Sequence, residues 1–331
     1  MANTYVRYAG AWRPVGETVA PPAPSPPPPP PNPITVDHGS DLAATSFEVA
    51  SQIGPRGELT QWDGGTTLSG TQVIENQVFG FVRIAAGADI TMRNCRVISG
   101  LGTLSYAINH TAGGESRLTM EDCEIVTRAV DSTTPRCIAI WGAGNFRAVR
   151  TIFRGGIDNC YFNAPASTGV FDTGDDQVPM ARIHLSECWF GDIQRVGSSH
   201  SDGIQFDGGG YAVLDRCRVM GYSLPAGSDP LETRVTDPET APFASGPIIA
   251  TQNSSNPSQL SNIVIKGSRI EGGNYTVDLN PGDGLPPNSM SVRDCEFGHR
   301  FNFGPLRLPP GSTDVDNRWG SGPNAGQPLS G

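Results

Sequence analysis

The apolar and polar positions of this chain follow one short phrase that keeps returning. It reads ITMRNCRV at 90–97, LTMEDCEI at 118–125, IHLSECWF at 183–190, AVLDRCRV at 212–219 and MSVRDCEF at 290–297. FRAVRTIF (146–153) and IVIKGSRI (263–270) are degenerate copies, with Thr151 and Ser268 in the cysteine position. Within each copy apolar and polar residues alternate, the period of a β-strand. The phrase recurs about every 28 residues with no helical stretch between copies, which predicts a solenoid.

A second family of apolar phrases lies between the first: YAINHT (106–111), CIAIWG (137–142), GVFDTG (169–174), GIQFDG (203–208), PIIATQ (247–252) and TVDLNP (276–281). One anchor from each phrase, in chain order, gives Cys95, Ile108, Cys123, Ile138, Thr151, Val170, Cys188, Ile204, Cys217, Ile248, Ser268, Val277 and Cys295. The two columns alternate without a break, as they do when a chain winds around one axis and returns to the same sheets. The expected fold is all-β: a single-stranded right-handed parallel β-helix, with a third short strand per coil in the gaps. The hand follows the general rule for parallel crossovers. An antiparallel sandwich would explain the Asp-Gly turns but not the repeat in register.

The chain has 41 Gly and 29 Pro among 331 residues and only 37% hydrophobic residues, which suits a thin continuous core with many turns. The formal net charge is −10 and no basic run exists, so a nucleic-acid partner is not expected. No stretch reaches the ~18 apolar residues of a membrane span. Residues 1–17 lack the apolar core of a signal peptide. Of the seven cysteines, Cys95, Cys123, Cys188, Cys217 and Cys295 share one register and are expected to stack as small apolar filler. No Cys/His spacing suggests zinc, and reduced thiols imply assembly in a cytoplasm.

The head of the chain differs from the rest. Residues 4–15 read as a hairpin, with a Tyr/Val strand, an Ala-Gly turn and a Trp/Val strand. Residues 21–33 are nearly all proline and form an extended spacer of about 40 Å. The expected organisation is a docking hairpin (1–18), a polyproline linker (19–33), an entry segment and N-terminal cap (34–58), the β-helix (59–310, with an insertion loop at 223–246), and a C-terminal cap with an extended tail (311–331). A hairpin this small cannot hold a core alone, so it should pack on a partner.

Two resemblances attach to these features. Val6, Gly10, Trp12 and Val15, followed by the proline-rich segment, resemble the opening of minor tail proteins of phages that infect actinobacteria. The body, over about residues 59–310, is similar to the pectate-lyase-like β-helix superfamily. The first resemblance implies a virion tail location, docking on other tail proteins, a host surface polysaccharide as ligand and a homotrimeric state. The second implies the fold and leaves activity open, because that fold carries lyases, hydrolases and inert adhesins.

The candidate chemistry is polar. If Ile138, Ile204, Ile248 and Val277 point inward, the outward positions of the second column are Asn109, Ala139, Gln205, Ile249 and Asp278. Beside them lie Thr111, Trp141, Asp207, Thr251 and Asn280. Amides and carboxylates suit pairs of hydroxyls, and an indole stacks on a sugar ring. Asn109, Trp141, Gln205, Asp207, Asp278 and Asn280 are therefore candidate glycan contacts. The acidic cluster formed by 171–177 and 197–209 offers Asp175, Asp176, His200, Asp202 and Asp207, with Arg195 beside it. Two such carboxylates could act as acid and base on a glycosidic bond, several could hold Ca2+, or an arginine could abstract a proton in a lyase. No other cofactor is expected. His200-Ser201-Asp202-Gly203 resembles the Asn-Thr-Asp-Gly element of polygalacturonases, but here Asp175-Asp176 precedes it rather than following, and the Gly-His-Gly and Arg-Ile-Lys elements are missing. The enlarged coils at 151–188 and 223–246 both neighbour the acidic rung and could wall a groove there. The leading expectation is a virion protein that binds a host glycan. The alternatives are a polysaccharide lyase or glycoside hydrolase and a structural spacer.

Overall fold

A computed structural model describes residues 53–99, 106–110, 115–128, 136–141, 144–163, 167–195, 200–225, 227–250, 260–279 and 290–329. Of Tyr5–Tyr8, Ala11–Pro14, Ala139 and Trp141 it describes the backbone only. The chain divides into two units, Met1–Val36 and Asp37–Gly331. In the first, Tyr5–Tyr8 pairs antiparallel with Ala11–Pro14.

The second unit is a right-handed parallel β-helix. Three sheets run its length. The first holds ten strands from Thr60–Gln61 to Arg318–Trp319, the second nine from Thr67–Leu68 to Gly304–Arg307, and the third nine from Thr71–Glu75 to Thr313–Val315. Every pairing within these sheets is parallel and joins consecutive coils, for example Ile108 to Ile138 and Ile204 to Ile248. The core is the stack of inward files. On the first sheet Val97, Ile125, Phe153, Phe190, Val219 and Ile270 succeed one another. Phe153 and Phe190 stack with ring centroids 4.8 Å apart. All six are fully buried, so each rung covers the apolar face of the next.

The cysteine phrase is not one strand. It is a third-sheet strand and a first-sheet strand joined at a corner, so the third strand of each coil lies inside the phrase and not in the gaps. Asp89–Arg93 and Arg96–Ile98 flank Asn94, whose φ is +51°. The same left-handed residue recurs as Asn76, Asp122, Arg150, Glu187, Arg216, Gly267, Asp294 and Asp316. One such residue turns the chain from one sheet to the next without a longer loop. The next residue turns inward and closes the corner. Cys95 donates its thiol to the carbonyl of Arg93 at 3.2 Å, Cys123 to Glu121 at 3.3 Å and Cys295 to Arg293 at 3.2 Å. Thr151 does the same to Val149 at 3.1 Å and Ser268 to Lys266 at 2.9 Å. In the seven inner copies the position thus takes a small side chain with an S–H or O–H donor, which accounts for the Thr and Ser copies, while Gln77 and Asn317 stand there at the two ends.

Two expected placements change. GVFDTG (169–174) does not supply the second column. That rung is Asp158–Asn163, with Cys160 between Ile138 and Ile204 where Val170 was expected. Phe171–Asp172 instead pairs antiparallel with Met180–Ala181 in an excursion from the coil. Residues 320–329 are not an extended tail. They fold back on the last rung, where Trp319 N–H donates to Gln327 O at 3.0 Å and Leu329 N–H to Asn317 O at 2.8 Å.

Candidate functional site on the second sheet

The two enlarged coils cover different faces. In the 167–182 excursion, Val178 and Ala181 pack on Val213 and Val264 of the third sheet. Asp175 anchors it: Lys266, the only lysine of the chain, donates to its Oδ2 at 3.1 Å, Arg293 reaches the same oxygen, and the Gln177 N–H binds Oδ1 at 3.0 Å. Burial works to raise the Asp175 carboxyl, but Lys266, the Val178 N–H and Arg293 outweigh it and hold it below its ordinary value. Asp175 is therefore a structural tie on the third sheet. Asp176 is exposed in the same excursion. Neither joins Asp202 or Asp207.

The 223–246 loop lies on the first sheet. Val235, Ala241 and Phe243 pack against Ile152, Trp189, Met220 and Tyr222. Arg128 pairs with Asp229, Arg154 donates to Pro230 O, and the Val235 N–H donates to Asp192 at 2.9 Å. Burial pushes the Asp192 carboxyl up to about 7. The body of the loop lies away from the acidic rung, and only its end reaches it, where the Ser245 N–H donates to Ser201 O at 2.7 Å and Ser245 Oγ accepts from the Ser201 N–H at 3.1 Å. Among the described residues, the second sheet keeps an outer face that neither insertion covers.

That face has two described columns. The middle column runs Arg83, Asn109, Ala139, Tyr161, Gln205, Ile249, Asp278 and Arg307 in register. The expected outward positions Asn109, Gln205 and Asp278 are all in it and all partly exposed. Tyr161 is the member the misplaced Val170 rung concealed. The entry column runs Tyr106, Arg136, Asp158, Asp202 and Gly246. Asp207 follows the second-sheet strand and is partly exposed. Of the remaining candidates, His200 and Arg195 are exposed. The side chain of Trp141 and all of Asn280 lie outside the described residues.

At the centre Arg136 joins the two columns. Its Nε donates to Asp158 Oδ2 at 2.8 Å, and its guanidinium carbon sits 3.7 Å above the Tyr161 ring centroid. The Tyr161 hydroxyl donates in turn to Asp207. Burial, followed by the bond to Asp207, pushes the Tyr161 phenol up, so it remains a donor. Asp202 is fully buried on the rung next to Asp158, about 4.8 Å away along the axis. Neither of its carboxylate oxygens has a hydrogen-bond partner among the described residues. Burial raises its carboxyl strongly and the neighbouring Asp158 charge adds to that. Two carboxyls this close do not both ionise. Burial raises the Asp158 carboxyl too, but Arg136 pulls it back, so Asp202 is the more strongly raised of the pair.

This arrangement weighs against a two-carboxylate glycosidase built from Asp202 and Asp207. They are five residues apart along extended chain, about 16 Å, against the roughly 5 to 9.5 Å that such pairs span. Asp202 is also sealed from any ligand. What the face offers is a polar, aromatic-backed surface: amides at Asn109 and Gln205, a carboxylate at Asp207 and a phenol held by arginine. The Ca2+ alternative finds no support, since no group of three or more His, Cys, Asp or Glu is arranged to hold a metal among the described residues. No helix among the described residues is long and apolar enough to cross a membrane. Arg136, Asp158 and Tyr161 were not singled out from sequence, although Asp158 stands two residues before Cys160 as Asp202 stands two before Ile204. No protein-family model, curated protein or solved structure matches this chain.

Proposed function

We propose that the β-helix binds a polysaccharide along the outer face of the second sheet, as the host-recognition part of a phage tail protein. The observation that carries the binding reading is the contrast between faces. Insertions pack onto the first and third sheets, while the second keeps Asn109, Gln205, Asp207 and Asp278 partly exposed around the Arg136–Tyr161 stack. A ladder of such groups at the rung spacing of ~4.8 Å suits an extended ligand with repeating hydroxyls. The short hairpin and proline-rich segment suit attachment of this body to a larger particle.

The test is affinity electrophoresis of the full chain through gels containing cell-envelope polysaccharides, with analysis for released oligosaccharide. The expected result is retardation without product. Asp207→Ala and Gln205→Ala should each weaken binding about tenfold, equivalent to about 1.4 kcal/mol. Retardation that survives both substitutions together would remove this face from the binding site. Release of oligosaccharide would restore the enzymatic alternative.

A further inference from the structure

The outer face of the third sheet holds an arginine and a histidine side by side. Phe146, Ala148, Ile183 and Leu185 belong to the core, so the alternating Arg147 and His184 point outward. They are paired in register on consecutive rungs, about 4.8 Å apart. Thr119 precedes them in the same column, and Val213 and Val264 follow. The 167–182 excursion packs on those two valines. Its edge falls at His184, which is 6% exposed, while Arg147 and Thr119 beyond it are partly exposed.

The other cations of this face are engaged. Arg93 pairs with Glu75 and Glu121, Arg117 with Asp89, Arg150 with Asp122, and Arg216 with Glu187 and Asp215. Lys266 and Arg293 share Asp175, and Arg182 donates to Ser167 and Thr168. Arg147 forms no ion pair among the described residues. Its Nε and the Nδ1 of His184 are buried with no hydrogen-bond partner among them either. The acids that remain nearby are Asp172, Asp176 and Glu115, all exposed. Asp172 accepts the Gly174 N–H at 3.0 Å, and Glu115 acts on Arg182. Burial lowers the His184 imidazole to about 4, the charges of Arg147, Lys266 and Arg216 lower it further, and Asp172 opposes them. At neutral pH the column therefore sets a neutral imidazole beside an unpaired guanidinium.

Buried polar groups are nearly always hydrogen-bonded. Two such groups on neighbouring rungs, at the rim of a packed insertion, are complemented by an acceptor that carries negative charge. We propose that Arg147, His184 and Thr119 form a binding site for a phosphate or sulfate group. The planar fork of the guanidinium takes two oxygens of such a group, which leaves others for the imidazole N–H and the Thr119 hydroxyl. A carboxylate has only two oxygens to share among the three. The site lies on a different sheet from the glycan face and does not depend on that reading. The group can come from a free ion or from an ester along an anionic polymer.

The experiment follows the imidazole signals of His184 by NMR in the full chain, identified by their loss in His184→Gln. Sodium phosphate is titrated at pH 7 against sodium chloride of equal ionic strength. The expected result is a saturable shift with a Kd on the order of 1 mM that chloride does not reproduce. Arg147→Gln should weaken it about tenfold and should keep the fold, since the side chain has no partner to lose. Arg147→Lys keeps the charge without the fork, should also weaken binding, and decides the matter if the glutamine variant does not fold. Poly(glycerol phosphate) separates the sources: tighter binding per phosphate than the free ion assigns the site to a polymer, and equal or weaker binding assigns it to the ion. A shift that does not saturate, that chloride reproduces, or that persists unchanged in the folded Arg147 variants overturns the proposal.

Discussion

His110 shows how much a single residue can weigh in a thin core. It occupies an inward position in line with Ile140 on the next rung and is fully buried. Its Nε2 hydrogen-bonds with Ser116 Oγ at 2.6 Å, while Nδ1 has no partner among the described residues. Gly144 makes room for the ring, since a Cβ there would lie 3.0 Å from His110 Cε1. Burial lowers the imidazole to about 4. The folded value lies below the unfolded one of about 6.5, so protonation favours the unfolded chain. The stability is fully present above pH 6.5 and is lost as pH falls toward 4, by up to about 3 kcal/mol. His110→Gln keeps a polar contact for Ser116 and does not titrate. Urea midpoints at pH 7 and pH 4.5 should therefore converge in the variant relative to the parent; an identical acid-induced drop in both proteins would contradict this account. The type of residue does not mark His110 as internal. It reads as one more polar residue at the end of YAINHT, and only its place in the repeat, two residues after the inward Ile108, puts it inside.

The corner is the element on which the coil depends. Its mark in the sequence is an interval: Met92–Cys95–Val97, Met120–Cys123–Ile125 and Leu214–Cys217–Val219 space their buried residues by three and then by two. A single strand would space them evenly. The extra residue is the left-handed one, and it is polar or glycine in every copy, as the steric cost of that region for branched side chains requires. Gly267 is the glycine of the series, at φ +55°. Gly267→Asn adopts the residue type used at Asn76 and Asn94 and should cost little. Gly267→Val should cost about 2 kcal/mol more, read as the difference in denaturation midpoint between the two variants. Equal stabilities would mean that this corner does not impose the left-handed conformation in solution. The same element explains a misplacement. The rung after Thr151 is followed at once by the short corner at Gly155 and Gly156, both at positive φ, so Asp158–Asn163 arrives earlier than the coil period suggests.

For the whole molecule, the open ends and the outer faces matter most. A parallel β-helix ends in strands with unpaired backbone groups, which invite association with another edge. Here residues 320–329 fold against the final strand Arg318–Trp319, with Gly326 N–H donating to Trp319 O at 2.7 Å. Ending the chain at Gly320 should leave that strand bare and produce concentration-dependent association by light scattering. A truncated chain that stays monodisperse at every concentration would show that the fold-back is dispensable. The outer faces divide the remaining work, with two sheets carrying packed insertions and the second presenting the polar columns.

The sequence by itself determined the winding, because each coil repeats a short local pattern of inward apolar residues, and such a pattern has one consistent solution when coil stacks on coil. It also placed Asn109, Gln205, Asp207 and Asp278 on one side of the second sheet, since strand alternation fixes side as soon as one inward residue is known. Only the tertiary structure decided which faces the insertions cover and which acids belong together. Asp175 meets Lys266 and Arg293 across separations of 91 and 118 residues, and Arg128 meets Asp229 across 101. Contacts of that range follow from how far a loop reaches and which charges it finds on arrival. No period in the chain records them.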